Sequence, residues 1–284
     1  MAGQHSVLCI QDFSCVGRSS LAVVLPTLAA AGAAPCALPT ALLSTHFGGL
    51  GTPACSDESA FALAALGHYE RLGLSFDCVY SGYLSGPEQA ALVERAYAQS
   101  PAALRVADPA MADHGRLYSA VTPEVCDAQA RLCAAADVIV PNTTEAALLV
   151  QEDGAAGASG LRAVRHAALL LQRFARLRCA VVTGAAQGTG QRGNVCAVRG
   201  QQPVFLPYEA APQAYPGTGD LFAAAFTGAL LAGRSEQSAA SLAARFVSLA
   251  AHRTLRAGAD PRFGVQFEPL LGALAEWVQR PLQY

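Results

Sequence analysis

"PGTGD", residues 216–220, runs straight into "LFAAAFTGALLAG", residues 221–233. A glycine-rich turn thus delivers one carboxylate, Asp220, to the mouth of an otherwise apolar helix. The free N–H groups and dipole of a helix N-terminus attract negative charge. Asp220 is therefore either a plain cap or a group that shares this end with a phosphate and handles a proton.

Upstream of the turn, short β-rich runs alternate with longer helical patterns. Strands are expected at 6–12, 34–41, 77–83, 103–109, 136–142 and 179–184, and helices at 20–32, 57–73, 86–99, 122–135 and 160–176. "NVCAVRG" and "QPVFLPY" read as an antiparallel hairpin, and helices follow "PGTGD" to the C-terminus. This alternation implies a mostly parallel sheet covered on both faces. No linker composition interrupts the 284 residues, so one domain spanning 1–284 is expected.

Composition narrows the chemistry. Hydrophobic residues make up 52% and charged residues 14%, enough for a sizeable core and against disorder. The net charge of −2 gives no electrostatic reason to expect nucleic acid or an anionic membrane. All 19 basic residues are Arg, which excludes a Schiff-base lysine and a Walker-A lysine. Any bound phosphate must then be met by backbone N–H, Arg or a metal. Nine cysteines are scattered without a C-x-x-C pair, as expected of small buried residues in a reducing compartment. The N-terminus lacks a signal-peptide pattern, and Pro26, Gly32, Pro35 and Pro39 break the uncharged run 19–45, so neither secretion nor a membrane span is expected.

Ligands of open α/β sheets lie beyond the carboxyl ends of the strands. The polar residues there are Asp12, Tyr83, Asp108, Asn142 and Thr183. "DPAMADHG" adds Asp113 five residues after Asp108, and "PNTTEA" puts Glu145 in the first turn of a helix. Asn142 and Glu145 can be simple caps. Carboxylates converging with Asp220 would repel one another without a cation, and hard oxygen ligands suit Mg²⁺. "GTGQRG", residues 188–193, fits a dinucleotide pattern but precedes a strand, so a hairpin turn is expected there instead.

Taken in order, "QDFSCVGRSSL", "LPTALLSTHFGG", "YSGYL", "DPAMAD", "VPNTTEA", "VVTG", "YPGTGDLFAA" and "FGVQFE" resemble the ribokinase-like small-molecule kinases, in particular the pyridoxal/pyridoxamine kinase branch. The resemblance implies a three-layer α/β fold, usually dimeric and cytoplasmic. It implies transfer of the ATP γ-phosphoryl group to a hydroxymethyl group on a small pyridine, with Mg²⁺ and, as a further candidate, a monovalent cation. It makes Asp220 the general base and Gly217, Thr218 and Gly219 the anion hole. Asp108, Asn142, Glu145, Thr183 and Gly184 fall on the ATP side, Asp108 and Glu145 in the metal network. Asp12, His46 and Tyr83 fall at substrate-facing positions.

Three positions depart from the pattern: Asp12 where serine is common, Phe47 where a small hydroxyl residue is common, and Ala112 where glycine is usual. Two other readings stay open, a hydroxymethylpyrimidine kinase of thiamine synthesis and a catalytically silent sensor of a B6 vitamer.

Overall fold

The computed structural model describes residues 3–152, 159–188 and 190–279. The strands are β1 (Ser6–Val16), β2 (Ala34–Thr45), β3 (Cys55–Asp57), β4 (Cys78–Ser81), β5 (Leu104–Ala107), β6 (Ala112–Asp113), β7 (Arg116–Leu117), β8 (Val138–Ile139), β9 (Cys179–Gln187), β10 (Gln191–Val198) and β11 (Val204–Pro207). The helices are α1 (Leu21–Ala30), α2 (Ser59–Arg71), α3 (Ala90–Gln99), α4 (Pro123–Ala135), α5 (Thr143–Leu149), α6 (Gly160–Arg173), α7 (Thr218–Leu231), α8 (Glu236–Arg256) and α9 (Leu271–Gln279).

Nine strands form one sheet in the order β11-β10-β9-β8-β5-β4-β1-β2-β3. The six from β9 to β2 run parallel, and β10, β11 and β3 pair antiparallel at the two edges. Alternation sends Val7 and Cys9 of β1 to one face, with α1, α7, α8 and α9. Leu8 and Ile10 go to the other, with α2, α3 and α4, while Ala107, Ile139 and Ala180 of neighbouring strands pack on α4, α5 and α6. Both faces are buried, which is why the strands read as continuous apolar runs.

The composition of α7 follows from this layering. It lies between α1 and α8, and Leu221 to Ala229 are all buried. Small residues let the backbones approach: a β-carbon on Gly228 would lie 2.3 Å from that of Ala31. The helix stacks Phe222 on Phe226 at 6.1 Å between ring centroids.

Several elements differ from expectation. β1 and β2 run on together as far as the pair Val16–Thr45, past an irregularity between Gln11 and Phe13. The added residues, 13–16 and 42–45, mix polar with exposed apolar side chains, Ser14 and Leu43 being buried and Cys15, Val16, Leu42 and Ser44 exposed, so they show no apolar run. β8 has two residues, not seven. β3 and the small β6–β7 hairpin escape the sequence pattern because they are two or three residues long. The glycine-rich run at 188–193 lies at the hairpin between antiparallel β9 and β10, as expected, with Gln191, Arg192 and Gly193 already in β10; its Thr189 lies outside the described residues.

Candidate active site

The sheet register brings the expected residues to one edge. Ile10, Ser81, Ala107, Ile139 and Ala180 stand level across β1, β4, β5, β8 and β9. Asp12, Tyr83, Asp108, Asn142 and Thr183 each lie one to three residues beyond that line. Thr183 does not end a strand, because β9 continues to Gln187 to pair with β10. It sits where Asn142 makes a last parallel bridge, and its N–H donates to the Pro141 carbonyl at 2.9 Å. Gly184 follows, its N–H donating to Asn194 Oδ1 at 3.2 Å.

The "PGTGD" turn meets this edge from the α7 side. Gly217 is left-handed, φ 74°, and a β-carbon on it would lie 1.9 Å from the Arg18 carbonyl oxygen. Only glycine fits both constraints. Thr218 ties its hydroxyl to the Tyr215 carbonyl at 3.0 Å, and the first intrahelical bond runs from Leu221 N–H to the Gly217 carbonyl. No side chain caps the helix, so its first N–H groups lack partners four residues back. Gly219 is exposed, with open space where a side chain would project.

Asp220 is half-buried at this mouth, and its Oδ2 accepts from the Ser20 backbone N–H at 2.9 Å. Removal from water pushes its carboxyl up to about 7; the Ser20 N–H opposes the shift and the charge of Asp12 adds to it. Asp12 is buried, and burial pushes it up to about 6. Ser14 Oγ donates to Asp12 Oδ2 at 3.4 Å, and Ser19 Oγ donates to Ser14 Oγ at 3.1 Å. Asp12 Oδ1 and the Tyr83 hydroxyl have no hydrogen-bond partner among the described residues. Burial, then the charge of Asp12, raises the Tyr83 phenol to about 12. Two orphaned polar atoms near one another are the mark of a site that a polar ligand completes.

On the other side, burial and the charges of Glu145 and Asp220 hold the Asp108 carboxyl well above the usual range. A cation relieves such crowding. Among the described residues, no three His, Cys, Asp or Glu side chains are grouped to hold a metal unaided. Asp108 with phosphate oxygens and water is a donor set that fits Mg²⁺.

Glu145 and Asn142, expected beside the metal and nucleotide, are hydrogen-bonded within the protein. They form a capping box at the start of α5. Asn142 Oδ1 accepts from the N–H groups of Thr144 and Glu145, and its Nδ2 donates to the Ala112 carbonyl at 2.7 Å. Glu145 Oε2 accepts from Asn142 N–H at 2.8 Å, and Oε1 from Met111 and Ala112 N–H at 3.0 and 3.4 Å. Burial pushes the Glu145 carboxyl up to about 8 against these three donors. The pair thus caps α5 and fixes the loop after Asp108 by its backbone. Asp113 is exposed and accepts from His114 N–H, so it is not one of the buried acids.

His46 also differs. Gly48 N–H donates to Nδ1 at 2.9 Å, so Nε2 carries the proton and donates to the Arg262 carbonyl at 2.9 Å. Neither nitrogen is left for a substrate ring. Phe47 is 42% exposed and turns its bulk toward solvent. The residue absent from the sequence reading is Ser20, whose contact with Asp220 spans 200 positions. Its only local signal is its place in the hydroxyl-rich "SCVGRSS" run.

The family described as phosphomethylpyrimidine kinase matches residues 27–263. A pyridoxine/pyridoxal/pyridoxamine kinase of Bordetella avium 197N is 31% identical, over 96% of this chain and 93% of its own. The crystal structure of pyridoxal kinase from Lactobacillus plantarum superposes with a TM-score of 0.87 at 32% identity, covering 96% of this chain and 97% of that one. A protein proposed as a phosphomethylpyrimidine kinase from Bacteroides thetaiotaomicron VPI-5482, in a crystal form with pyridoxal, gives 0.89 at 29% identity, over 99% and 98%. With the parallel sheet, the glycine turn and Asp220 at the α7 mouth, these likenesses establish that the chain belongs to the pyridoxal kinases of the ribokinase-like superfamily.

Proposed function

We propose that the chain transfers the γ-phosphoryl group of ATP to the 5′-hydroxymethyl group of a vitamin B6 vitamer, with Asp220 as the general base. The observation that carries this is the Asp220 carboxylate, raised to about 7 beside uncapped N–H groups at the start of α7. A base of that strength is half ionised near neutrality, where it takes a hydroxyl proton most effectively. As the substrate oxygen bonds to the γ-phosphorus, its proton passes to Asp220, the bond to the bridging oxygen breaks and ADP leaves. The N–H groups around Gly217, Thr218 and Gly219 meet the charge on the transferring group without reorganisation. Asp108 would hold Mg²⁺, which when bound neutralises phosphate charge; Glu145 and Asn142 keep the Asp108 loop in place. Thr183 and Gly184 flank the nucleotide side, and Asp12 and Tyr83 face the substrate ring.

The reading carries further parts. The whole chain, 1–284, works as one catalytic unit, in the cytoplasm and as a homodimer, with a monovalent cation as an additional candidate. Exposed Leu42, paired beside the edge strand β3, and exposed Phe61 and Leu63 on α2 support self-association. No helix among the described residues is long and apolar enough to cross a membrane.

An ATP-consumption assay across pyridoxal, pyridoxamine, pyridoxine and hydroxymethylpyrimidine tests the reading. A B6 vitamer is expected to have the highest kcat/KM, because a site with unpaired polar groups penalises a substrate that leaves them unpaired. Preference for hydroxymethylpyrimidine would overturn the substrate assignment. Chelation of Mg²⁺ should abolish turnover, and Asp108→Asn should raise the Mg²⁺ concentration needed; a titration curve identical to wild type would remove Asp108 from the metal site.

A further inference from the structure

Ser20 has backbone angles φ 53° and ψ −139°, one of three non-glycine residues with positive φ among those described. L side chains avoid this region, and such strain persists only where the surroundings over-determine it. They do so here. The segment before Ser20 is fixed at successive residues: a β-carbon on Gly17 would lie 2.7 Å from the His46 ring, and Arg18 N–H donates to the Phe263 carbonyl at 3.1 Å. The Arg18 carbonyl is pressed between Gly217 and Gly264, where added β-carbons would stand 1.9 and 2.9 Å from it. After it, the Ser20 carbonyl accepts from Val23 and Val24 N–H to start α1. A bridge between Phe13 and Ser20 closes the loop onto β1.

These restraints aim the Ser20 N–H at Asp220 Oδ2, 2.9 Å away. The Ser20 hydroxyl faces Asp12, the other acid beside Asp220. We propose that Ser20 is a positioning residue for phosphoryl transfer: its left-handed backbone holds Asp220 by Oδ2 and leaves Oδ1 for the substrate hydroxyl. The inference rests on the reading of Asp220 as the base. A carboxylate without a fixed donor rotates and offers either oxygen, so the fraction of molecules aligned for proton transfer falls. An N–H donor also favours the ionised form that a base requires. The acids and phenols that act on Asp220, or on which it acts, are Asp12 from β1, Tyr80 from β4, Asp108 after β5 and Tyr118 after β7; none of them is a donor cation.

The test removes the N–H alone, by placing the α-hydroxy analogue of serine at position 20 through nonsense suppression so that an ester replaces the amide. The ester variant is expected to lose roughly 10- to 100-fold in kcat while KM for ATP stays within about 2-fold. The acidic limb of its kcat/KM profile should move to higher pH. Ser20→Val, which drives the backbone out of the left-handed region, should give the same signature. Ser20→Gly keeps the N–H and fits the angles, so its acidic limb should stay at the wild-type pH with an equal or higher Tm. In an Asp220→Asn background the ester should cost nothing further, because the two act through one contact. Wild-type kcat and pH limb in the folded ester variant would overturn the proposal, as would a loss that persists undiminished beside Asp220→Asn. If Asp220→Asn alone keeps normal turnover, the base assignment fails instead. If Asp220→Asn collapses turnover and the ester does not, only the role of Ser20 fails.

Discussion

At the scale of single residues, the site is set by which carboxylates keep water and partners. Asp220 holds one backbone donor and lies half-buried, so its charge is costly enough to make it a base near neutrality. Asp220→Asn preserves the shape and removes the proton acceptor. Turnover is expected to fall about 100-fold or more, with KM changed far less; steady-state kinetics showing near-normal kcat would end the assignment. The sign of the pH response follows. The base works only when ionised, so kcat/KM should be full above about 7 and decline as pH falls through that value. A pH profile flat between 5 and 8 would contradict it.

At the scale of elements, two junctions carry the site, and both are made of backbone. The α5 capping box closes the helix start with three hydrogen bonds to its own backbone and joins it to the loop after Asp108 with three more, at 2.7, 3.0 and 3.4 Å. Glu145→Gln puts an amide N–H₂ where a carboxylate oxygen accepted, which leaves backbone donors unpaired. A loss of roughly 1–3 kcal/mol is expected, read as a lower denaturation midpoint with an unchanged slope. The glycine turn is the second junction. Gly217→Ala needs φ 74° from a residue that disfavours it and sets a methyl 1.9 Å from the Arg18 carbonyl. It should destabilise the fold by roughly 2 kcal/mol or more and lower kcat, since the turn must back away from the 17–20 segment. Thermal melts and kinetics on the same preparation check both.

At the scale of the whole molecule, the chain concentrates buried acids at one end of its sheet. Asp12 and Asp220 stand at about 6 and 7, above the usual carboxylate range, chiefly through burial. Groups with raised folded values stabilise the fold in acid and cease to do so as pH rises through those values. From about pH 4, where free carboxylates ionise, to about 7, the ligand-free protein should lose stability. Asp57 and Asp77, held low by hydrogen bonds, contribute in the opposite sense only at lower pH, where they become protonated. A ligand-free Tm that rises between pH 5 and 7.5 would show that other groups dominate. The same end of the sheet receives Asp220 because α7 is buried between α1 and α8, so the placement of Asp220 and core packing are one arrangement.

Short-range features were legible in the sequence. The alternating runs, the 188–193 hairpin and the "PGTGD" turn at a helix start are local patterns whose physics acts over a few residues. The parallel strands and their ends followed, and with them Asp12, Asp108 and Asp220 on one edge. The extension of β1 and β2 was hidden because its residues, 13–16 and 42–45, are largely exposed and mix polar with apolar types, so they leave no buried apolar run. The long-range partners of Glu145, Asn142, His46 and Ser20 were set by tertiary structure alone. Each depends on a hydrogen bond between a side chain and a backbone group far apart in sequence: Glu145 with Met111 N–H, Asn142 with the Ala112 carbonyl, His46 with the Arg262 carbonyl, and the Asp220 carboxylate with Ser20 N–H. A residue's identity states which bonds it can form, but which groups it meets is set by how distant segments pack. For Ser20 that packing imposes a backbone conformation its own preference opposes.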